Sequence, residues 1–197
     1  MPWKREFDIQ EAIDSLPDGG AGQGMVFLKH KVYQPSDTLT IDDRKNTMLQ
    51  GSGSMNTEIQ STEELDGKPV LHISGSTGWS DSIDNVVKNL RFTGNVNFST
   101  HGIKVSDSYK TLLRDLRIED MDKAIELVSV HEWTEATIIE DVQIRNPLTG
   151  LKFTRTTGTG SFALTKIDHL MINLQRNNSR RIHVQIGRAS CRERVFE

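Results

Sequence analysis

Residues Val130–Ala136, VHEWTEA, gather an imidazole, two carboxylates and an indole within seven positions. The Trp133 face suits packing against a sugar ring, and Glu132 or Glu135 could orient hydroxyls or act as acid or base. Two further acids, Asp115 and Asp141, lie 26 residues apart. Stacked on one another, they would meet the separation of about 5–10 Å that glycoside hydrolysis requires. Arg91 and Arg117 share that offset of 26 and could supply the base of a β-elimination, in which carboxylates often hold calcium. His72, His101 and His183 have no partner at metal-ligand spacing, and His131 has only Glu132 and Glu135 nearby, so no metal site is predicted. Gly51-x-Gly53 lacks the strand–loop–helix setting of a nucleotide site and reads as a turn.

Composition narrows the setting of these groups. The 197 residues suit one domain with a sizeable core. Twenty-four basic against 27 acidic side chains give no electrostatic case for nucleic acid or an anionic membrane. No apolar run approaches the ~20 residues that span a bilayer. The opening MPWKREFDIQ lacks the apolar segment of a secretory signal. The one cysteine, Cys191, excludes an internal disulfide.

What positions the candidate groups is a repeat. Asn85–Phe92, Thr111–Ile118, Thr137–Ile144 and Thr165–Ile172 align as NVVKNLRF, TLLRDLRI, TIIEDVQI and TKIDHLMI, at offsets of 26, 26 and 28. With Asn89, Asp115, Asp141 and His169 as position zero, apolar residues recur two before it, one after and three after. The last two share a strand face, but the first has the opposite parity. A sharp bend at the polar residue reconciles them, and Asn and Asp tolerate the left-handed backbone of such a bend. A turn role therefore accounts fully for Asp115 and Asp141, and Arg91 and Arg117 read as part of an outward, solvated face. A third strand follows in each unit: Gly102–Val105, Ala124–Leu127, Gly150–Phe153 and Arg181–Val184. Three short strands per unit, with apolar spacing of two and many Val, Ile and Thr, exclude a helical solenoid. The predicted fold is all-β: a single-stranded, right-handed parallel β-helix with equivalent residues about 4.8 Å apart along the axis.

In that frame the VHEWTEA segment joins the third strand of one coil to the first of the next. Its counterparts are the short SDSYK after Val105 and the long TRTTGTGSFAL after Phe153. Stacking groups Asp107 and Tyr109, then His131, Glu132, Trp133 and Glu135, then Arg155, as a ridge that could wall a groove for an extended sugar chain. A simpler account has Trp133 packing on the coil beneath.

The N-terminal third differs. Asp8–Leu16 places Ile9, Ala12, Ile13 and Leu16 on one helical face, ended by Pro17 and a Gly-rich turn. An open coil exposes apolar surface and strand edges, and residues 8–16 are read as a helix capping them. Strands are expected at Met25–Leu28, Thr38–Ile41 and Thr47–Gly51, the last as a first coil with Gly51 at its corner. The 38 residues from Gly51 to Asn89, including the strand Val70–Ile73 and the charged loop Ser61–Lys68, read as one coil with a lateral insertion.

The order IQEAIDSLP, Gly-rich turn, MVFL, Tyr33, TLTI, MLQGSGSMNTEI closely resembles the N-terminal coil of the pectate-lyase-like superfamily. More narrowly, it resembles rhamnogalacturonase and epimerase-like β-helix proteins, which include phage tailspike domains. The resemblance covers residues 5–185. It departs at MPWKREFD, where an Asp- and Gly-rich segment is usual, and at Lys29–Val32, where the usual motif is Pro-x-Gly. It implies a polysaccharide or surface glycan as partner, cleaved by hydrolysis or β-elimination or bound without cleavage. It further implies an extracellular or virion-surface location, no cofactor apart from calcium in a lyase, and a homotrimer in a tailspike. Ile186–Val195, IGRASCRERV, resembles a translated sequencing adapter. Residues 1–185 are accordingly read as the β-helix domain, truncated at its C-terminus, and 186–197 as a non-native tail. Adjacent-coil carboxylates in a groove, off the bend column, would favour an enzyme. An apolar stripe along one side would favour a trimeric shaft.

Overall fold

The computed structural model describes residues 8–17, 24–95, 97–156, 160–173 and 185–186. They form a parallel β-helix. The first coil holds β1 (Gly24–Leu28), β2 (Lys31–Tyr33) and β3 (Leu39–Asp42), and the second holds β4 (Thr47–Gly51), β5 (Thr57–Gln60) and β6 (Pro69–Ser74). From the third coil the first two strands fuse into one bent strand: β7 (Val86–Thr93) with β8 (His101–Ser106), then β9 (Leu112–Glu119) with β10 (Lys123–Ser129). β11 (Ile138–Arg145) with β12 (Thr149–Arg155) and β13 (Lys166–Asn173) with β14 (Gln185–Ile186) complete six coils. One sheet runs β1-β4-β7-β9-β11-β13, with β2 and β5 continuing its bent half, and the other runs β3-β6-β8-β10-β12-β14.

Register is fixed by stacked apolar columns. Leu49, Val87, Leu113 and Ile139 fill one interior column and Leu71, Ile103, Ile125 and Leu151 another, none more than 2 % exposed. A one-residue slip would turn every column out to solvent, so burial enforces the pairing. The predicted bend is present: φ is 58° at Asn89, 50° at Asp115, 53° at Asp141 and 50° at His169. At Gly51, in the same column, a Cβ would overlap the Asn89 carbonyl oxygen and Leu90, so a five-residue excursion, 52–56, turns this corner.

A second left-handed column went unforeseen. It comprises Asn46, Asp84, Lys110, Ala136 and Leu164 and sets the corner before the first strand of each coil. Behind it Ser82, Ser108 and Thr134 are fully buried, with Ser82 and Ser108 hydroxyls 3.1 Å apart and Ser108 2.7 Å from the Thr111 hydroxyl. Hydroxyls paired from coil to coil satisfy one another where apolar side chains would leave corner backbone groups unmet.

Helix α1 (Ile9–Asp14) is N-capped by Asp8, whose carboxylate accepts from the Gln10 N–H at 3.0 Å. Ile9 and Ile13 are buried, and the Gln10 amide bonds both the N–H and the carbonyl of Thr40, at 2.8 and 3.2 Å. The side chain thus stands in for a missing strand at the edge of β3. One expectation changes and another is untested. The first coil is β1–β3, so Thr47–Gly51 opens the second. The expected strand Arg181–Val184 lies outside the described residues, and it is Ile186 that pairs with Phe153.

Candidate functional site

The ridge forms where the connectors leave the second sheet. Asp107 has φ of 45° and is 1 % exposed. Its Oδ1 accepts the N–H groups of Val130, His131 and Glu132 at 2.9, 3.1 and 3.2 Å. A carboxylate gathering successive amides holds the VHEWTEA loop in one conformation. Thr134 seals the base: its hydroxyl accepts from the Asp107 N–H at 2.8 Å and donates to the Val128 carbonyl at 2.6 Å. The Glu132 side chain lies over Gly78 of an earlier coil, where a Cβ would displace it.

His131, Glu132 and Trp133 are exposed, Trp133 by 41 %, and the Trp133 backbone bridges to Ser161 on the next coil. Tyr109 pairs with Glu135 through the backbone, and the Lys110 ammonium sits 5.4 Å from the Tyr109 ring. Exposed Arg155 donates to the Gly160 carbonyl at 3.4 Å. The structure thus brings Asp107, Tyr109, His131, Glu132, Trp133, Glu135 and Arg155 to one corner. Asp107 faces into the loop as its support, and the others are at least partly exposed.

Beside the ridge, the outer face of the second sheet carries a row that sequence reasoning missed. Register places Thr40, His72, Lys104, Glu126 and Lys152 side by side on successive coils. Nearer the ridge runs a parallel row of Asp42, Ser74, Ser106, Val128 and Thr154. Glu126 is held by Lys152 at 3.2 Å, Lys123 at 3.6 Å and the Thr154 hydroxyl at 2.9 Å. Burial pushes its carboxyl up, yet the Thr154 hydrogen bond and the two ammonium groups outweigh that and hold it below the ordinary carboxylate value. Glu126 is therefore a charged acceptor at neutral pH and ill suited to donate a proton. Among the described residues Lys104 forms no ion pair, which leaves its ammonium available to a ligand.

His72, in the first row, reaches across to the second, its Nε2 2.8 Å from the Ser106 hydroxyl. Burial, helped by Lys104, pushes its pKa down, while Asp42 and Asp107 pull it up without restoring it. His101 is lowered by the same chiefly desolvating cause, aided by Lys123. The signal for this row was in the sequence: Lys104, Glu126 and Lys152 are the polar middles of the third-strand motifs. Among the described residues no cluster of three or more His, Cys, Asp or Glu is arranged to hold a metal.

The remaining candidates are committed elsewhere. Asp141 lies 3.2 Å from His169 on the bend column. Arg91 pairs with Glu58 of the preceding coil and lies 3.9 Å from Glu119 of the next, while the Arg117 guanidinium reaches Glu119 on its own strand at 2.7 Å, an ion network in place of the expected solvated face. Glu140 and Asp168 are adjacent-coil carboxylates off the bend column, but Arg114 meets Glu140 at 2.6 Å and Lys166 meets Asp168 at 3.2 Å.

No family model and no curated protein matches the chain. Among solved structures it is similar to a pectin methylesterase variant in complex with a hexasaccharide: 14 % identity, TM-score 0.45, covering 83 % of this chain and 75 % of that one. A pectin methylesterase from carrot is similar at 13 % identity and TM-score 0.40, over 75 % of this chain and 59 % of the other.

Proposed function

We propose that the protein belongs to a polysaccharide-handling system and binds an extended glycan along the outer face of its second sheet. The row His72, Lys104, Glu126, Lys152, repeating at the coil rise and flanked by a ridge bearing a half-exposed Trp133, carries the reading. A regular rank of donors and acceptors matches a polymer that presents hydroxyls and carboxylates at regular intervals. The ridge supplies an apolar wall, and Lys104 a cation with no ion pair among the described residues. Trp133 provides apolar area at small entropic cost, as sugar recognition requires. The location this reading implies is extracellular or on a virion surface, and the binding calls for no cofactor.

Binding, rather than glycosidic cleavage by these coils, is favoured by the state of the acids. Asp115 and Asp141 turn corners, Glu126 is held ionised, and the Glu140–Asp168 pair is matched by cations. Titrating the protein with neutral and uronic-acid polysaccharides in a calorimeter tests the reading. Saturable heat with an acidic polymer, weakened at least tenfold in Lys104→Ala and Trp133→Ala, is expected. No heat with any polymer would overturn it. New reducing ends or absorbance at 235 nm would add hydrolase or lyase chemistry.

A second reading, self-association as in a trimeric shaft, is favoured by one observation. Met25, Met48, Val86, Leu112 and Ile138 form an outward apolar stripe along the first sheet.

A further inference from the structure

We propose that Ser106 and His72 form a nucleophile–base pair that hydrolyses O-acyl esters carried by the bound glycan. The inference rests on the reading of this face as the glycan-binding surface and adds an activity to it.

The placement is diagonal across three coils. Thr40 pairs with His72 and Asp42 with Ser74, while His72 pairs with Lys104 and Ser74 with Ser106. His72 therefore has Asp42 one coil before it and Ser106 one coil after it, each a step toward the ridge. The Ser106 hydroxyl is 2.8 Å from Nε2, within the reach that general-base activation needs. A hydroxyl within reach of an imidazole is recognised as a nucleophile–base pair by geometry and role rather than by position in the chain, and Asp42 acts on that imidazole through its charge.

The surroundings suit the roles. Burial keeps the imidazole neutral and so able to accept the Ser106 proton, and Asp42 and Asp107 favour the imidazolium as it forms. The Ser74 hydroxyl donates to Asp42, which fixes that carboxylate in place. The Gly75 N–H donates to the Ser106 carbonyl at 3.2 Å and fixes the nucleophile's backbone. Lys104, beside His72 in the row, two residues before Ser106 on the same strand and without an ion pair among the described residues, is the cation this proposal assigns to the developing oxyanion. Ser106 itself is only 4 % exposed, at the foot of the ridge.

The chemistry balances with water as the co-reactant. Ser106 Oγ bonds to the acyl carbon while its proton passes to His72 Nε2. The bond from the acyl carbon to the sugar oxygen breaks, and that oxygen takes the proton from His72. Water then attacks the acyl–serine, giving a proton to His72. The Ser106 Oγ–acyl bond breaks, and the oxygen recovers its proton. A carboxylic acid and a free sugar hydroxyl leave.

The test uses the full chain, p-nitrophenyl acetate as a probe that needs no glycan site, and a fluorophosphonate label located by mass spectrometry. Expected are p-nitrophenol release rising with pH as His72 loses its proton, a phosphonate adduct on Ser106, and a rate at least 100-fold lower in Ser106→Ala and His72→Gln. Far-UV circular dichroism checks that both variants keep the coil. Absence of adduct and turnover in wild-type protein that still binds glycan would overturn the inference and leave the glycan reading intact. So would an unchanged rate in folded Ser106→Ala. Ester turnover and labelling of Ser106 without measurable glycan binding would uphold the pair and remove the glycan reading.

Discussion

Two aspartates with left-handed backbones, Asp107 at φ 45° and Asp115 at φ 50°, show how differently one residue type can be used. Asp115 is exposed on the bend column, where any residue tolerating that conformation would serve. Replacing it with Asn should leave stability nearly unchanged. Asp115→Val should cost about 1–2 kcal/mol, the penalty of a β-branched residue held left-handed. Denaturant midpoints would read the difference, and equal losses in both variants would assign the carboxylate a role beyond the turn. Asp107 is buried and collects the loop amides. Asp107→Ala should cost about 1–3 kcal/mol through unmet amides. It should also expose the 130–134 loop to limited proteolysis, and an intact loop would contradict its supporting role. Parity made the bend role legible in the sequence. The amide-gathering role was not, because it depends on a loop folding back over a residue 23 to 25 positions earlier.

Strands were the most legible level, since each must satisfy a period of two and a period of one coil together. Coil repeats that keep both, such as Leu90, Leu116 and Val142, are buried to within 1 %. Leu116→Ala should therefore destabilise by about 2–5 kcal/mol, whereas half-buried Leu170, in β13, should cost much less on truncation. Thermal or denaturant unfolding would rank them, and equal losses would show β13 to be as enclosed as the central coils. The outer rows were less legible, because a polar residue facing outward says little until its neighbours on other coils are known.

That second sheet also sets a pH dependence. His72 and His101 have folded pKa values below the ordinary 6.5, so between the two values the unfolded chain binds more protons. Their contribution to stability is complete above about pH 6.5 and is lost as pH falls through the folded values. Glu126, lowered beneath 4.5, adds a further loss on stronger acidification. Urea midpoints should fall from pH 8 to pH 5, less steeply in His72→Gln. A midpoint that rises over that range would reverse the sign derived from burial.

At the scale of the whole molecule the two sheets present unlike faces. The second carries the charged row and ridge. The first carries the apolar stripe from Met25 to Ile138, ending in Lys166, with exposed Phe27 beside its start. Met25, Met48 and Val86 also line a shallow groove of about 400 Å³. On the self-association reading, this apolar surface over five coils is the face that would meet the same stripe on a second copy. The charged row lies on the other sheet from this stripe, so self-association through the stripe and glycan binding along the row are compatible rather than rival uses. Sedimentation over a range of concentrations should show reversible association. Leu112→Lys, placing a charge in the middle of the stripe, should weaken it on the order of tenfold or more. Glycan binding by that variant should persist at the single-site level, because Leu112 lies on the opposite sheet from Lys104. A monomer at every concentration would remove the shaft reading, and association that survives Leu112→Lys would move the contact to another face.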